Sequence, residues 1–175
     1  MTLAELLTST AVLAVFMAGM LGLLEQGQRA YAMGAARVEA QQNARVALTR
    51  LAADIRGAGS GGAAFDAISI AEPHRVMLHQ DADGDGLLLA RGETVLWRLD
   101  GMTLRRAAGA GAQPVLDGVE RLTLTYFDAA DVPTTSPAAV RSVDITLTTR
   151  AQRTRLPGQR PATFSVATRI RLRNR

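Results

Sequence analysis

The chain has 175 residues, 47% of them hydrophobic and 21% charged, with a net charge of +4 and no cysteine. That length suits one modest domain plus an accessory segment, and the lack of cysteine excludes disulfides and thiolate metal sites. All 20 basic residues are Arg, and from Arg141 onward there are nine of them against one acid, Asp144.

Residues 1–24, MTLAELLTSTAVLAVFMAGMLGLL, predict a membrane-length apolar helix whose only charged side chain is Glu5. At a rise of ~1.5 Å per residue it is ~36 Å long, enough to cross a hydrocarbon core of ~30 Å. It has neither the basic n-region nor the small-residue cleavage site of a secretory signal peptide. A carboxylate near the end of such a helix is costly without a partner. The nearest cation is an α-amino group, its own or a neighbour's. Gly19 and Gly22 weaken the helix locally and allow close helix packing.

Residues 25–56 contain no Pro and continue in helix formers. Glu25 with Arg29, and Arg50 with Asp54, stand at i,i+4. Val38, Ala44, Leu48, Leu51 and Ile55 mark an apolar stripe, so this second half is expected to lie on a folded domain. Gly57 is expected to end the helix as a left-handed cap, with Gly59, Gly61 and Gly62 as loop. The glycine run lacks the Lys-Ser/Thr of a phosphate loop and follows a helix instead of a strand.

After Phe65 the pattern changes to period two. Strands are expected at 67–71 and 75–79 around Pro73. Val95, Trp97 and Leu99 then alternate with Leu96 and Arg98. Asp100-Gly101 reads as a hairpin turn, returning through Met102 to Arg106. Asp117-Gly118 introduces a strand with Leu122, Leu124 and Tyr126 on one face. Val143, Ile145 and Leu147 mark the next. The last places Phe164, Val166, Ile170 and Leu172 inward and Arg169, Arg171 and Arg173 outward. Residues 128–137 and 151–161 are polar connections. Such alternation implies an α+β fold in which an antiparallel sheet buries one face against the amphipathic half of the long helix. The divisions expected are 1–24 in the membrane, 25–56 as helix on the sheet, and 57–175 as the sheet domain.

Asp81, Asp83 and Asp85, followed by Gly86, match the first half of an EF-hand loop, but position twelve falls on Gly92 and Glu93 comes one residue late. Two readings stand: a Ca²⁺ site, or a solvated turn built from the usual Asp and Gly. His74 and His79 lack a third ligand and read as ordinary positions. The serines show no nucleophile context, and no catalytic set is evident. Trp97 reads as core. The outward arginines suit an acidic partner or, as a rival, nucleic acid, although aromatic residues for base stacking are missing there.

Met1-Thr2-Leu3-x-Glu5-Leu6-Leu7 resembles the mature N-terminus of type IV pilins and type II secretion pseudopilins. Gln41 to Gly59 is similar to the helix end of PilW-type minor pilins and GspJ-type pseudopilins. So is the order that follows: the acidic turn, Trp97-Arg98-Leu99, Leu104-Arg105-Arg106, Val119-Glu120-Arg121-Leu122 leading into Tyr126, and Arg171-Leu172-Arg173-Asn174. The resemblance implies a type IV pilin-like fold and no enzymatic activity. It implies a leader removed by a prepilin peptidase and methylation at Met1, with Thr2 and Glu5 serving assembly. The partners it implies are the major pilin and other minor pilins or pseudopilins. The location it implies is first the inner membrane, with the C-terminal domain outside the cytoplasm, and then the tip of a surface filament. A tethered DNA-uptake receptor and a tethered hydrolase are the rivals.

Overall fold

The computed structural model describes residues 2–61, 65–150 and 163–174. Met1, Gly62 and the connection 151–161 lie outside the described residues. One helix, α1 (Leu3–Gly57), is followed by β1 (Ile68–Glu72), β2 (Arg75–His79), β3 (Thr94–Asp100), β4 (Thr103–Ala107), β5 (Ala112–Asp117) and β6 (Val119–Phe127). A single 3-10 turn at Pro137–Ala139 leads to β7 (Ser142–Arg150) and β8 (Thr163–Arg171). The fold is α+β, with every strand pairing antiparallel.

α1 runs 55 residues, ~82 Å at the standard rise. Its most apolar 18 residues have a mean hydropathy of 2.0, none of that window is buried, and the helix is long and apolar enough to cross a membrane. Burial begins at Ala36 and continues through Ala44, Ala47, Leu48, Leu51, Ala52 and Ile55. These positions step by three and four, the spacing of one helical face. Residues 25–35 are exposed all round, so the helix meets the domain about eleven residues later than its amphipathic pattern suggested. Val38 does not belong to the buried stripe and is half exposed. Two residues on from Ala36, it points ~200° around the helix.

The end of α1 also differs from expectation. The helix runs through Gly57, and the cap residue is Ala58 with φ −58°. The left-handed residue is Gly59, at φ 78°, whose N–H donates to His79 O at 2.8 Å. At Gly57 a Cβ would meet only the tip of the Gln80 side chain, 2.9 Å from Oε1, which can swing aside.

The strands divide into two sheets and not the single one expected: β1-β2-β3-β4-β5 and β6-β7-β8. Gly118, at φ 77°, stands alone between β5 and β6 and turns the chain from one sheet into the other. β5 has no clean alternation and contains Pro114. An edge strand tolerates proline, because its outer N–H has no ladder to serve. The β3–β4 hairpin is present with its turn one residue later than expected. Gly101 takes φ 60° while Met102 does not, the pattern of a II′ turn with glycine first.

The core joins the buried stripe of α1 to both sheets, with Trp97, Leu104, Leu122, Ile145 and Leu147 almost fully buried. Each such apolar side chain stabilises by roughly 1.5–3 kcal/mol. Trp97 is core, as its alternation indicated. The turn between β1 and β2 ties the sheets together. Leu124 N–H donates to Pro73 O at 2.9 Å, and the Tyr126 hydroxyl donates to Glu72 O at 2.8 Å. Burial, then the Glu72 charge, pushes that phenol well above its ordinary pKa.

Candidate functional site

Three places hold the residues singled out by the sequence: the head of α1, the loop between β2 and β3, and the end of β8.

At the head of α1, Thr2 is the N-cap. Its Oγ1 accepts the Glu5 N–H at 3.4 Å, and Glu5 Oε2 accepts the Thr2 N–H at 2.8 Å. This reciprocal capping box satisfies two donors that a helix start leaves open. Glu5 is therefore not unpartnered in the single chain. It caps its own helix through one oxygen, and Oε1 is left for another donor. Thr8, Ser9 and Thr10 return their hydroxyls to carbonyls one turn back, so this end exposes little unsatisfied polarity. Leu3, Leu6, Leu7, Val12, Leu13 and Phe16 are all more than half exposed.

The β2–β3 loop gathers Asp81, Asp83, Asp85 and Glu93, with one carboxylate oxygen from each inside a 4.8 Å span. Glu93 is fully buried and Asp81 nearly so. Sequence spacing set Glu93 aside as one residue late, yet the loop brings it back beside Asp81. Its late position was the available signal, obscured because an EF-hand template fixes the ligand at twelve. The loop's own backbone organises these acids. Asp81 accepts from Gly84 N–H at 2.6 Å and from Gly86 N–H at 3.0 Å. Glu93 accepts from Ala82 N–H at 3.1 Å and from Ala90 N–H at 2.7 Å. Burial pushes the Asp81 carboxyl up, but the N–H donors of Gly86, Gly84 and Asp85, with a hydrogen bond to Asp83, hold it below the usual carboxylate range. For Asp83 the balance reverses. The Asp85 N–H pulls it down, while burial and the charges of Asp85, Glu93 and Asp81 push it above that range. Four hard oxygen donors at this spacing can hold a divalent cation such as Ca²⁺. The loop sits at the distal end of α1, where Asp81 N–H donates to Ser60 O at 2.9 Å.

His74 and His79 do not converge. His74 Nδ1 lies 2.7 Å from Leu122 O, and His79 Nε2 lies 2.7 Å from Ser69 Oγ.

The three C-terminal arginines part company. Arg169 is held within its own chain: Nε to Asp144 Oδ1 at 2.5 Å, Nη1 to Asp131 Oδ1 at 2.8 Å, and the guanidinium 4.3 Å from the centre of the Phe127 ring. Asp131 reaches it from a loop in which it adopts φ 61°. These two carboxylates raise the Arg169 pKa further, so the expectation that Arg169 needs an outside acid is corrected. β8 ends at Arg171, which places Arg173 past the strand and not on its face. Arg171 and Arg173 have no carboxylate partner among the described residues, and with Arg56 they line a cavity of about 460 Å³. Asn174 Nδ2 stands 3.3 Å from Ala58 O, bringing the chain end to the end of α1.

No protein-family model matches the chain, and no curated protein matches it.

Proposed function

We propose that the chain is a structural subunit of a type IV pilus-type filament, a minor pilin or a minor pseudopilin of a secretion system. The observation that carries this is the division of α1 at Ala36. Beyond it one face of the helix is buried in the domain; before it the helix is wholly exposed, and its first part, residues 3–24, is apolar but for Glu5, whose carboxylate caps its head. A segment of that kind needs lipid or other helices around it. It exchanges one for the other at little cost, because both are apolar. The N-terminal half therefore anchors the subunit in the inner membrane first and packs in a filament core afterwards, with the two-sheet domain outside.

Glu5 sets the register of that packing. Its second oxygen accepts from a cation at the head of a neighbouring helix, and a subunit stacked out of step leaves it facing lipid. The partners are the major pilin and related minor subunits, and a prepilin peptidase carries out processing. No step calls for catalysis. The experiment is fractionation of the host cell. The subunit is expected in the inner membrane and in the sheared filament fraction, and its absence from every filament fraction overturns the proposal.

A further inference from the structure

A strand at a sheet edge offers unpaired N–H and C=O groups that recruit other chains unless something blunts them. Among the described residues the edges are β1, β5, β6 and β8. The first three are blunted. β1 has five residues and a register shift between Ile68 and Ile70. β5 contains Pro114 and a shift opposite Leu104 and Arg105. β6 has a shift between Val119 and Arg121, and the β1–β2 turn bonds to its edge at Leu124.

β8 has none of these. Its nine residues pair with β7 in unbroken register, without Pro or Gly. Leu172 N–H donates to Arg141 O at 2.9 Å, which fixes the phase of the ladder. Even-numbered residues aim their backbone groups at β7. Thr163, Ser165, Ala167, Arg169 and Arg171 aim theirs at the open side, where no backbone group among the described residues meets them.

Charge at one end of this edge indicates what fits. Arg171, Arg173 and Arg56 stand together without carboxylate partners among the described residues. A second copy suits poorly. Two β8 strands paired over their full length about a two-fold set Arg171 opposite Thr163, so a second copy brings no carboxylate to the free arginines. We propose that the outer edge of β8 receives an extended acidic segment of another protein as an added strand. Its backbone pairs with the odd-numbered residues, and its carboxylates meet Arg56, Arg171 and Arg173. Apolar side chains alternate with the acids, covering the half-buried Phe164 and Val166. Main-chain bonds supply affinity and the alternating side chains supply specificity. The inference rests on the strand edges and holds whether or not α1 enters a filament.

The test uses the full-length protein in detergent micelles and a fluorescent peptide of alternating Glu and Val, as long as β8. Two further peptides carry N-methyl groups on the alternate amides of one edge or of the other. In anisotropy titrations the parent peptide binds. One methylated form binds about tenfold weaker or worse, and the other binds like the parent. Ala167→Pro and Arg171→Glu each weaken binding by a similar factor. The Ala167 N–H points to the open side, so proline there leaves the β7 ladder intact. If Ala167→Pro fails to fold by circular dichroism, the methylated pair decides on the unaltered protein. Absence of binding at millimolar peptide overturns the proposal. So does equal binding of both methylated forms, which is charge adsorption alone. Tight binding of a short DNA duplex that Ala167→Pro leaves unchanged gives the site to nucleic acid, and a dimer dissolved by Ala167→Pro gives it to a second copy.

Discussion

The Asp54 carboxylate lies 2.7 Å from Trp97 Nε1, where the last turn of α1 meets β3. The same oxygen is 2.7 Å from Arg106 Nε on β4. One side chain thus fixes the helix against two strands of the larger sheet. Its two partners are mostly buried, so removing it leaves an indole N–H and a guanidinium without an acceptor. Asp54→Ala is expected to destabilise the domain by roughly 2–4 kcal/mol. Asp54→Asn keeps an acceptor for Trp97 and costs less. Urea denaturation followed by the fluorescence of Trp97, the only tryptophan, measures both.

Asp54 also marks where sequence order misleads. The i,i+4 rule pairs it with Arg50, but Asp54 faces the sheet and takes Arg106, whereas Glu25 and Arg29, on the exposed stretch, do pair as expected. The helix, most strand positions and the inward faces were legible because they follow from periods of 3.6 and two. The break into two sheets was not, since it turns on the single conformation of Gly118. The acidic loop was half legible: local spacing exposed the three Asp residues, and only the fold returned Glu93 to them. Arg169 looked free because its partners Asp131 and Asp144 come from a loop and a neighbouring strand.

The exposure of α1 before Ala36 gives a truncation test. A protein beginning near Gly34 keeps every buried helix residue. It is expected to fold, leave the membrane fraction and stay soluble without detergent. Retention in the membrane fraction means that some other surface holds it there.

The acidic loop has two outcomes that a melting curve separates. Four carboxylates with an oxygen each inside a 4.8 Å span repel one another, and against the pull of the Asp85 N–H, burial together with that crowding raises the Asp83 pKa. Millimolar Ca²⁺ is expected to raise the melting temperature by several degrees over chelator, by mass action on the folded state. Asp81→Asn and Glu93→Gln abolish the increment. An unchanged melting temperature leaves a turn organised by its own N–H groups.

His79 makes stability depend on pH. Burial lowers its pKa below 6.5, with the Asp66 charge opposing. The unfolded chain therefore takes up a proton first. The stabilisation is complete above about pH 6.5 and is lost as pH falls through the lower, folded value. Denaturation at pH 7.5 and 5.5 is expected to show lower stability at 5.5, and His79→Gln to narrow the difference. An equal difference in the variant places the dependence elsewhere.

The most direct test of the filament role is Glu5→Gln. Glutamine at this position retains the capping box with Thr2, so α1 keeps its start and only the charge is removed. The measurement is the amount of the subunit in sheared filaments relative to the inner membrane, for wild type and variant expressed at equal levels. The account predicts that the variant inserts in the membrane and folds normally but is depleted at least about tenfold from filaments, the factor that ~1.4 kcal/mol of lost pairing gives. Incorporation of Glu5→Gln at the wild-type level contradicts it.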